Sequence, residues 1–181
     1  KKRGEIRIGM PRVLNMYSQT PIFSGYFASL GIKPENIVFS DYTSEEMYKE
    51  GAKRGAIDPC FPSKLGIPHV HNLLYKVHAK KPLDIIFFPM IDCLTSPLTH
   101  IQASRTCPTV ATTPEAVKAA FVKEGDLFKE KGIRFLDTFV NLSKPDLFER
   151  QMFEEFQDIL GLTAEENKRA VEQGYLALNY F

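Results

Sequence analysis

The sequence has no tryptophan and only three cysteines in 181 residues. That is too few for the disulfide framework by which small secreted domains hold their shape. Long apolar runs are missing too. The longest, Asp84-Ile85-Ile86-Phe87-Phe88-Pro89-Met90-Ile91, falls far short of the roughly 18 residues a bilayer-spanning helix needs, so no membrane segment is expected. Nor is there an excess of one charge. Lys and Arg number 23 against 22 Asp and Glu, for a formal net charge of +1, which argues against a broad electrostatic grip on nucleic acid. The basic start, Lys1-Lys2-Arg3, leads into a short alternation and not into a signal-type apolar stretch, so a cytoplasmic location is expected.

Several catalytic signatures are absent as well. No GxxxxGK[ST] loop occurs, so ATP hydrolysis is not expected within this chain, and the three spaced glycines of a dinucleotide fingerprint are missing. There is no GxSxG elbow. Carboxylate pairs such as Glu45-Glu46 and Glu154-Glu155 read as solvated helix faces.

What is present is material for a core: 44% hydrophobic residues, 14 of them Phe, with 25% charged, the profile of one compact domain. Ile6 to Met10 reads as a strand, and Thr20-Pro21 as the N-cap and first turn of a helix running to about Leu30. Asn36 to Ser40 reads as a buried strand, followed by a helix opened by the capping box Thr43-Ser44-Glu45-Glu46. A loop from Gly55 to Pro62 leads to helical spacing at Leu65, Val70, Leu73, Leu74 and Val77. Asp84 to Pro89 has the uniform apolarity of a central parallel strand. Thr109 to Thr112 reads as a strand, Thr113-Pro114-Glu115 as a helix start, and Ile133 to Leu136 as a further strand.

From Asp146 onward two helices are expected, with Phe148, Met152, Phe156 and Ile159 as the stripe of the first. The alternation predicts an α/β fold: a Rossmann-like or flavodoxin-like parallel sheet of four to five strands flanked by helices, with a C-terminal helical extension. On this reading residues 1–145 form the α/β domain. Residues 146–181 form helices at a boundary to the rest of a longer chain, since the sequence lacks an initiator Met and stops inside a helical pattern.

Ligands of such sheets sit beyond the carboxyl ends of the strands, and the candidate site residues are three loop cysteines and two basic residues. Cys60 precedes a helix in a proline-flanked loop, where orphan N–H groups favour a thiolate. Cys93 follows the most apolar strand, and Cys107 precedes Pro108. Arg12, in Gly9-Met10-Pro11-Arg12, is suited to a phosphate or carboxylate, and Lys64 stands at a helix start as a further anion contact. Three loop thiolates can hold an iron–sulfur cluster, leaving one iron open. They can equally be plain thiols, because separations of 33 and 14 residues match no compact metal motif. A zinc site from Cys60, Cys93 and one of His69 or His71 is a further reading, weakened because residues two apart on a helix point in different directions. His69 and His71 then read as partly exposed histidines at a helix start. One geometric obstacle stands against the cluster: Cys107, before a strand, lies at the opposite sheet end from Cys93 unless the 94–106 loop folds back.

Ile8-Gly9-Met10-Pro11-Arg12-Val13-Leu14-Asn15-Met16-Tyr17, Cys60-Phe61-Pro62-Ser63-Lys64-Leu65 with His69-Val70-His71, Ile86-Phe87-Phe88-Pro89 and Cys107-Pro108 together form a pattern. Over residues 6–122 the chain resembles the uncharacterised domain of acyl-CoA dehydratase activase-related proteins, which are akin to the 2-hydroxyacyl-CoA dehydratase components. The resemblance implies a cytoplasmic protein of anaerobic metabolism whose three cysteines hold a [4Fe-4S] cluster or part of a double-cubane cluster, a group that an aerobically prepared sample loses. Cys60, Cys93 and Cys107 become the implied ligands, Cys93 by position alone. Implied partners are other modules of a longer chain, among them an ATPase activator domain that delivers low-potential electrons, with an acyl-CoA or other small molecule as substrate. The rival reading is a non-catalytic docking or regulatory module with free thiols, binding a phosphate or an acyl-CoA.

Overall fold

A computed structural model describes residues 2–55, 60–98, 100 and 104–181. Part of the Gly55–Pro62 loop, including Asp58 and Pro59, lies outside the described residues. The order of elements is β1 (Ile8–Met10), α1 (Met16–Ser29), β2 (Ile37–Phe39), α2 (Glu45–Gly51), α3 (Phe61–Lys64) and α4 (Gly66–Asn72). A π-helical turn at Leu73–Val77 carries α4 into α5 (His78–Lys80). Then come β3 (Ile85–Phe87), β4 (Met90–Cys93), α6 (Pro108–Val122), α7 (Leu127–Glu130), β5 (Arg134–Leu136), β6 (Phe139–Asn141), α8 (Pro145–Leu160) and α9 (Ala164–Tyr180).

The main sheet is parallel, in the order β2-β1-β3-β5. With β1 between β2 and β3, this is the flavodoxin-like arrangement of the two expected. β3 and β5 run on into a second parallel pair, β4 and β6. Phe88 N–H still bonds Leu136 O and Met90 N–H bonds Thr138 O, both at 2.9 Å; between them Pro89 has no N–H to give, and there the ladder breaks. β2 is a sheet edge, which is why it is half-buried where its sequence predicts full burial.

Strand alternation sorts side chains to two helical layers. Ile8, Met10, Ile85 and Phe87 share one face, and Phe87 meets the rings of Phe23, Phe27 and Phe156 from α1 and α8. Gly9 faces the other layer. A Cβ there would stand 2.9 Å from a Leu83 methyl and 3.2 Å from one of Leu73, so this glycine serves close helix–sheet packing and not a phosphate turn. Gly51 does the same between α2 and α4, where an added Cβ would fall 2.3 Å from the Cα of Pro68. Neither backbone can yield cheaply, so Gly51→Ala is expected to cost about 1–3 kcal/mol. A urea midpoint that does not move would show that α2 and α4 are less closely packed.

Two sequence expectations are corrected in the same way. Thr20-Pro21 and Thr113-Pro114 read as helix starts, yet both lie inside helices, with α1 starting at Met16 and α6 at Pro108. Each proline deprives one carbonyl of its partner. In each case the preceding threonine bonds an upstream carbonyl: Thr20 that of Met16, and Thr113 that of Thr109. Thr109 to Thr112 is therefore helix and not strand, because Pro108 at N1 starts the helix despite the β-branched run. The capping residue of α2 is Ser44, whose Oγ accepts from Met47 N–H at 3.1 Å. Thr43, one place earlier, is committed elsewhere.

The C-terminal helices are built into the core. α9 lies close against α1, where a Cβ on Gly174 would come within 2.6 Å of Ile22 O. Tyr26 of α1 donates to Asn167 Oδ1 of α9 at 2.7 Å, and Asn167 donates to Glu149 O of α8 at 2.8 Å. Thr163 and Glu166 form a capping box at the start of α9. Phe148 and Phe156 are fully buried.

Candidate functional site

At the carboxyl ends of β1 and β3 the connections leave to opposite faces, which in such sheets opens a ligand crevice. Here it is closed. Leu14, Phe88, Pro89 and Val110 line a space of only about 10 Å³, and Leu14 stands at φ 55°, a conformation uncommon for a non-glycine residue. A dinucleotide has no room there. The chemistry-bearing groups lie around this plug, on the loop after β1, the turn after β2 and the starts of α3 and α6.

The turn after β2 is pinned by α4. Arg12 N–H donates to Ser40 Oγ at 2.8 Å, Ser40 Oγ stands 2.7 Å from His69 Nδ1, and His69 Nε2 is 2.9 Å from Thr43 Oγ1. The assignment that satisfies every donor has Ser40 donating to Nδ1 and the Nε2–H donating to Thr43. Burial, together with the nearby Arg12 cation, pushes the His69 pKa down to about 4, so the ring is neutral at ordinary pH. One turn further along α4, Asn72 accepts from Asp41 N–H and donates to its carboxylate, both at 3.0 Å. Lys76 bonds the same carboxylate at 2.6 Å. Lys76 and Asn72 accordingly hold the Asp41 carboxyl below its ordinary range.

Arg12 stands on this frame. Its guanidinium lies 4.1 Å from the ring centroid of Tyr42 and 5.3 Å from that of Phe39, and among the described residues it makes no ion pair. Tyr42 is 73% exposed. Lys64 closes the short α3, half-buried.

The helical start at Pro108 changes the placing of the cysteines. Cys107 is the N-cap of α6 and Cys60 the N-cap of α3. Gly66 abuts α6, where a Cβ would stand 2.9 Å from Val117 and 3.0 Å from Thr113 side-chain carbons. Cys60 precedes Gly66 by as many residues as Cys107 precedes Thr113, and α3 itself packs on α6, so the two caps lie at the same end. The 94–106 loop does fold back: Cys93 pairs with Arg105 in an antiparallel bridge, Leu94 N–H bonds Ser104 O and Thr106 N–H bonds Asp92 O. The obstacle of opposite sheet ends is thereby removed.

The three thiols nevertheless differ. Cys107 is exposed, and backbone N–H groups of Val110 and Thr109 lower its pKa, although neither forms a well-aligned cap bond. Cys60 is half-buried. Cys93 is buried, its Sγ donates to Asp92 Oδ2 at 3.3 Å, and burial with that carboxylate raises its pKa. Among the described residues no group of three or more Cys, His, Asp or Glu is arranged to hold a metal ion. Thiolates are the right donors for an iron–sulfur cluster. Cys60 and Cys107 cap helices and are at least partly exposed, whereas Cys93 could serve only with its thiol turned away from Asp92. The zinc alternative fares worse: His69 is buried with both ring nitrogens engaged, and His71 stacks on Tyr75 at 4.5 Å.

Ser40, Tyr42, Thr43 and Asn72 were not legible as site residues, and His69 was legible only as a candidate zinc ligand or a partly exposed histidine, whereas it is buried. Their one sequence signal is that His69, Asn72 and Lys76 recur at helical spacing. A separate cavity of about 590 Å³ between α2, α4 and α6 mixes Lys53, Arg54 and Lys123 with Glu50, Glu124 and Glu130, which balances its formal charge.

The fold and this end of it define a flavodoxin-like α/β domain with Cys60 and Cys107 at helix starts, Cys93 at the end of β4 and Arg12 on the loop after β1. The chain belongs to the family described as the CoA enzyme activase uncharacterised domain, which matches residues 7–181 and so extends through both C-terminal helices. No curated protein matches it. No helix among the described residues is long and apolar enough to cross a membrane.

Proposed function

We propose that this CoA enzyme activase domain holds an iron–sulfur cluster through Cys60, Cys93 and Cys107 and takes part in ATP-driven, low-potential electron transfer to a reductase or dehydratase site. The observation that carries the reading is the fold-back of the 94–106 loop, which brings the chain from Cys93 to the start of α6. A bound cluster would supply one-electron transfer and, at an iron without a cysteine, Lewis acidity. The residues' own part is to present thiolates. Cys107 is favoured for this by the N–H groups at the start of α6. Cys93 gives up its proton and its bond to Asp92, whose charge Arg105 then balances from 3.0 Å. Arg12 and Lys64 are anion contacts at the same end, and nucleotide hydrolysis belongs to another module of a longer chain.

Anaerobic reconstitution with iron and sulfide, followed by iron counting and visible absorption, is expected to give cluster-bound protein. Cys60→Ala, Cys93→Ala and Cys107→Ala are each expected to lose most of the iron, and equal uptake by any of them removes that residue from the ligand set. A second reading, a docking or regulatory module with free thiols, is favoured by the hydrogen bond that occupies the Cys93 thiol. It predicts no iron in the parent either, and ready alkylation of Cys107 before Cys93.

A further inference from the structure

The geometry points to a phosphate-monoester site built on Arg12 and walled by Tyr42 and Phe39, with the Ser40–His69–Thr43 relay as its positioning device. This deepens the anion contact proposed for Arg12 and does not depend on a cluster. Four observations carry it.

The first is a cation without a counter-charge. Asp41, the acid nearest in the turn, is turned to Asn72 and Lys76, and no other carboxylate among the described residues pairs with Arg12. An ordinary structural arginine in a half-buried place takes the carboxylate beside it; here the neighbouring residues take that carboxylate away.

The second is orientation. Stacked on the rings of Tyr42 and Phe39, the guanidinium keeps its N–H donors, which lie in its own plane, open to a doubly bonded oxyanion. The third is rigidity. The Arg12 backbone is bonded to Ser40, and Ser40 is tied through His69 to Thr43, so the loops after β1 and β2 form one preorganised edge and little ordering is left for a ligand to bring about. The fourth is the surroundings. Tyr42 and Tyr17 are exposed, and the Tyr17 hydroxyl is 3.5 Å from Thr43 Oγ1. Two aromatic surfaces beside a phosphate fork suit a flat base on the same ligand.

Phosphate can come free or on a nucleoside, and calorimetric titration with inorganic phosphate, AMP and adenosine separates the two. Phosphate and AMP are expected to bind and adenosine alone to fail. AMP tighter than phosphate assigns a nucleoside phosphate, and equal affinity assigns the bare group. Arg12→Ala is expected to weaken AMP binding about ten- to a hundred-fold, the scale of one lost charge-assisted contact. Tyr42→Ala, which alters an exposed side chain and leaves the fold intact, is expected to weaken it several-fold by removing a cation–π wall. Ser40→Ala, which leaves the Arg12 charge in place, is expected to weaken it through lost positioning. A chain with Cys60→Ser and Cys107→Ser is expected to bind AMP like the parent, so failure of the cluster leaves this site untouched. Absence of both phosphate and AMP binding in the parent overturns the proposal, as does an Arg12→Ala chain that binds AMP as tightly.

Discussion

Replacing Phe156 by alanine is expected to destabilise the domain by about 3–5 kcal/mol, the range for deleting a fully buried phenyl ring. The ring sits where three elements meet: its centroid is 5.2 Å from that of Phe27 on α1, 5.5 Å from Phe87 on β3 and 6.1 Å from Tyr26. All four side chains are fully buried. Deleting the ring therefore removes apolar burial and edge-to-face contacts together, and leaves a hole that neither the sheet nor α1 can close without moving. Phe153, on the same helix but only partly buried, gives the internal control: its alanine variant is expected to lose much less. Urea unfolding followed by far-UV circular dichroism reads both. A Phe156→Ala loss below about 1 kcal/mol, or separate transitions for the helices and the sheet, would mean that α8 and α9 are a detachable layer and not part of this core.

That layer was only partly legible. The stripe Phe148, Met152, Phe156 marks an amphipathic helix without saying what it covers, since the partners are Phe23 and Phe27 from far earlier in the chain. Strands rich in β-branched residues declared themselves, and with them the parallel α/β class, because burial on both faces leaves a continuous apolar run. The errors share a cause. Local preference places threonine and proline at helix starts, whereas Thr20 and Thr113 bond upstream carbonyls inside α1 and α6. In the second case this moved Cys107 from a strand end to a helix cap. β4 and β6, short strands that begin beyond the break at Pro89, lack a period long enough to read. At the candidate site, Arg12 and the cysteines stood out by residue type and loop position. The frame behind Arg12 did not, because Ser40 and His69 are brought together by packing across 29 residues, and no spacing along the chain encodes that contact.

Lowering the pH from 6.5 to 4 is expected to cost the folded protein about 3 kcal/mol, chiefly through His69. In the fold its pKa is depressed from 6.5 to about 4; each unit of difference is worth about 1.4 kcal/mol. The sign follows from the proton count. Between the two values the unfolded chain holds a proton that the folded one refuses, so stability is complete above pH 6.5, falls as pH drops through the window, and loses nothing more to this group below the folded value. The cause lies in the relay: Nδ1 accepts from Ser40 and Arg12 stands nearby, so a proton there would break a buried hydrogen bond and set two cations face to face, with Asp41 only partly offsetting them. His71 and His78, also depressed by burial, act in the same direction. Asp41 and Glu166, held below ordinary carboxylate values by Lys76 and Asn72 and by Arg3, give up their contributions mostly below this window, Glu166 beginning at its acid end as pH falls through the ordinary value of 4.5. His69→Gln removes the titration. Its chain should be less stable at pH 7, because Ser40 or Thr43 loses a partner, but the fall between pH 6.5 and 4 should be much shallower than in the parent. Equal slopes for the two would place the acid sensitivity elsewhere and deny His69 its neutral, doubly bonded state. A shallower slope, with AMP affinity lowered in the same variant, would tie the buried ring to the arginine it helps to hold.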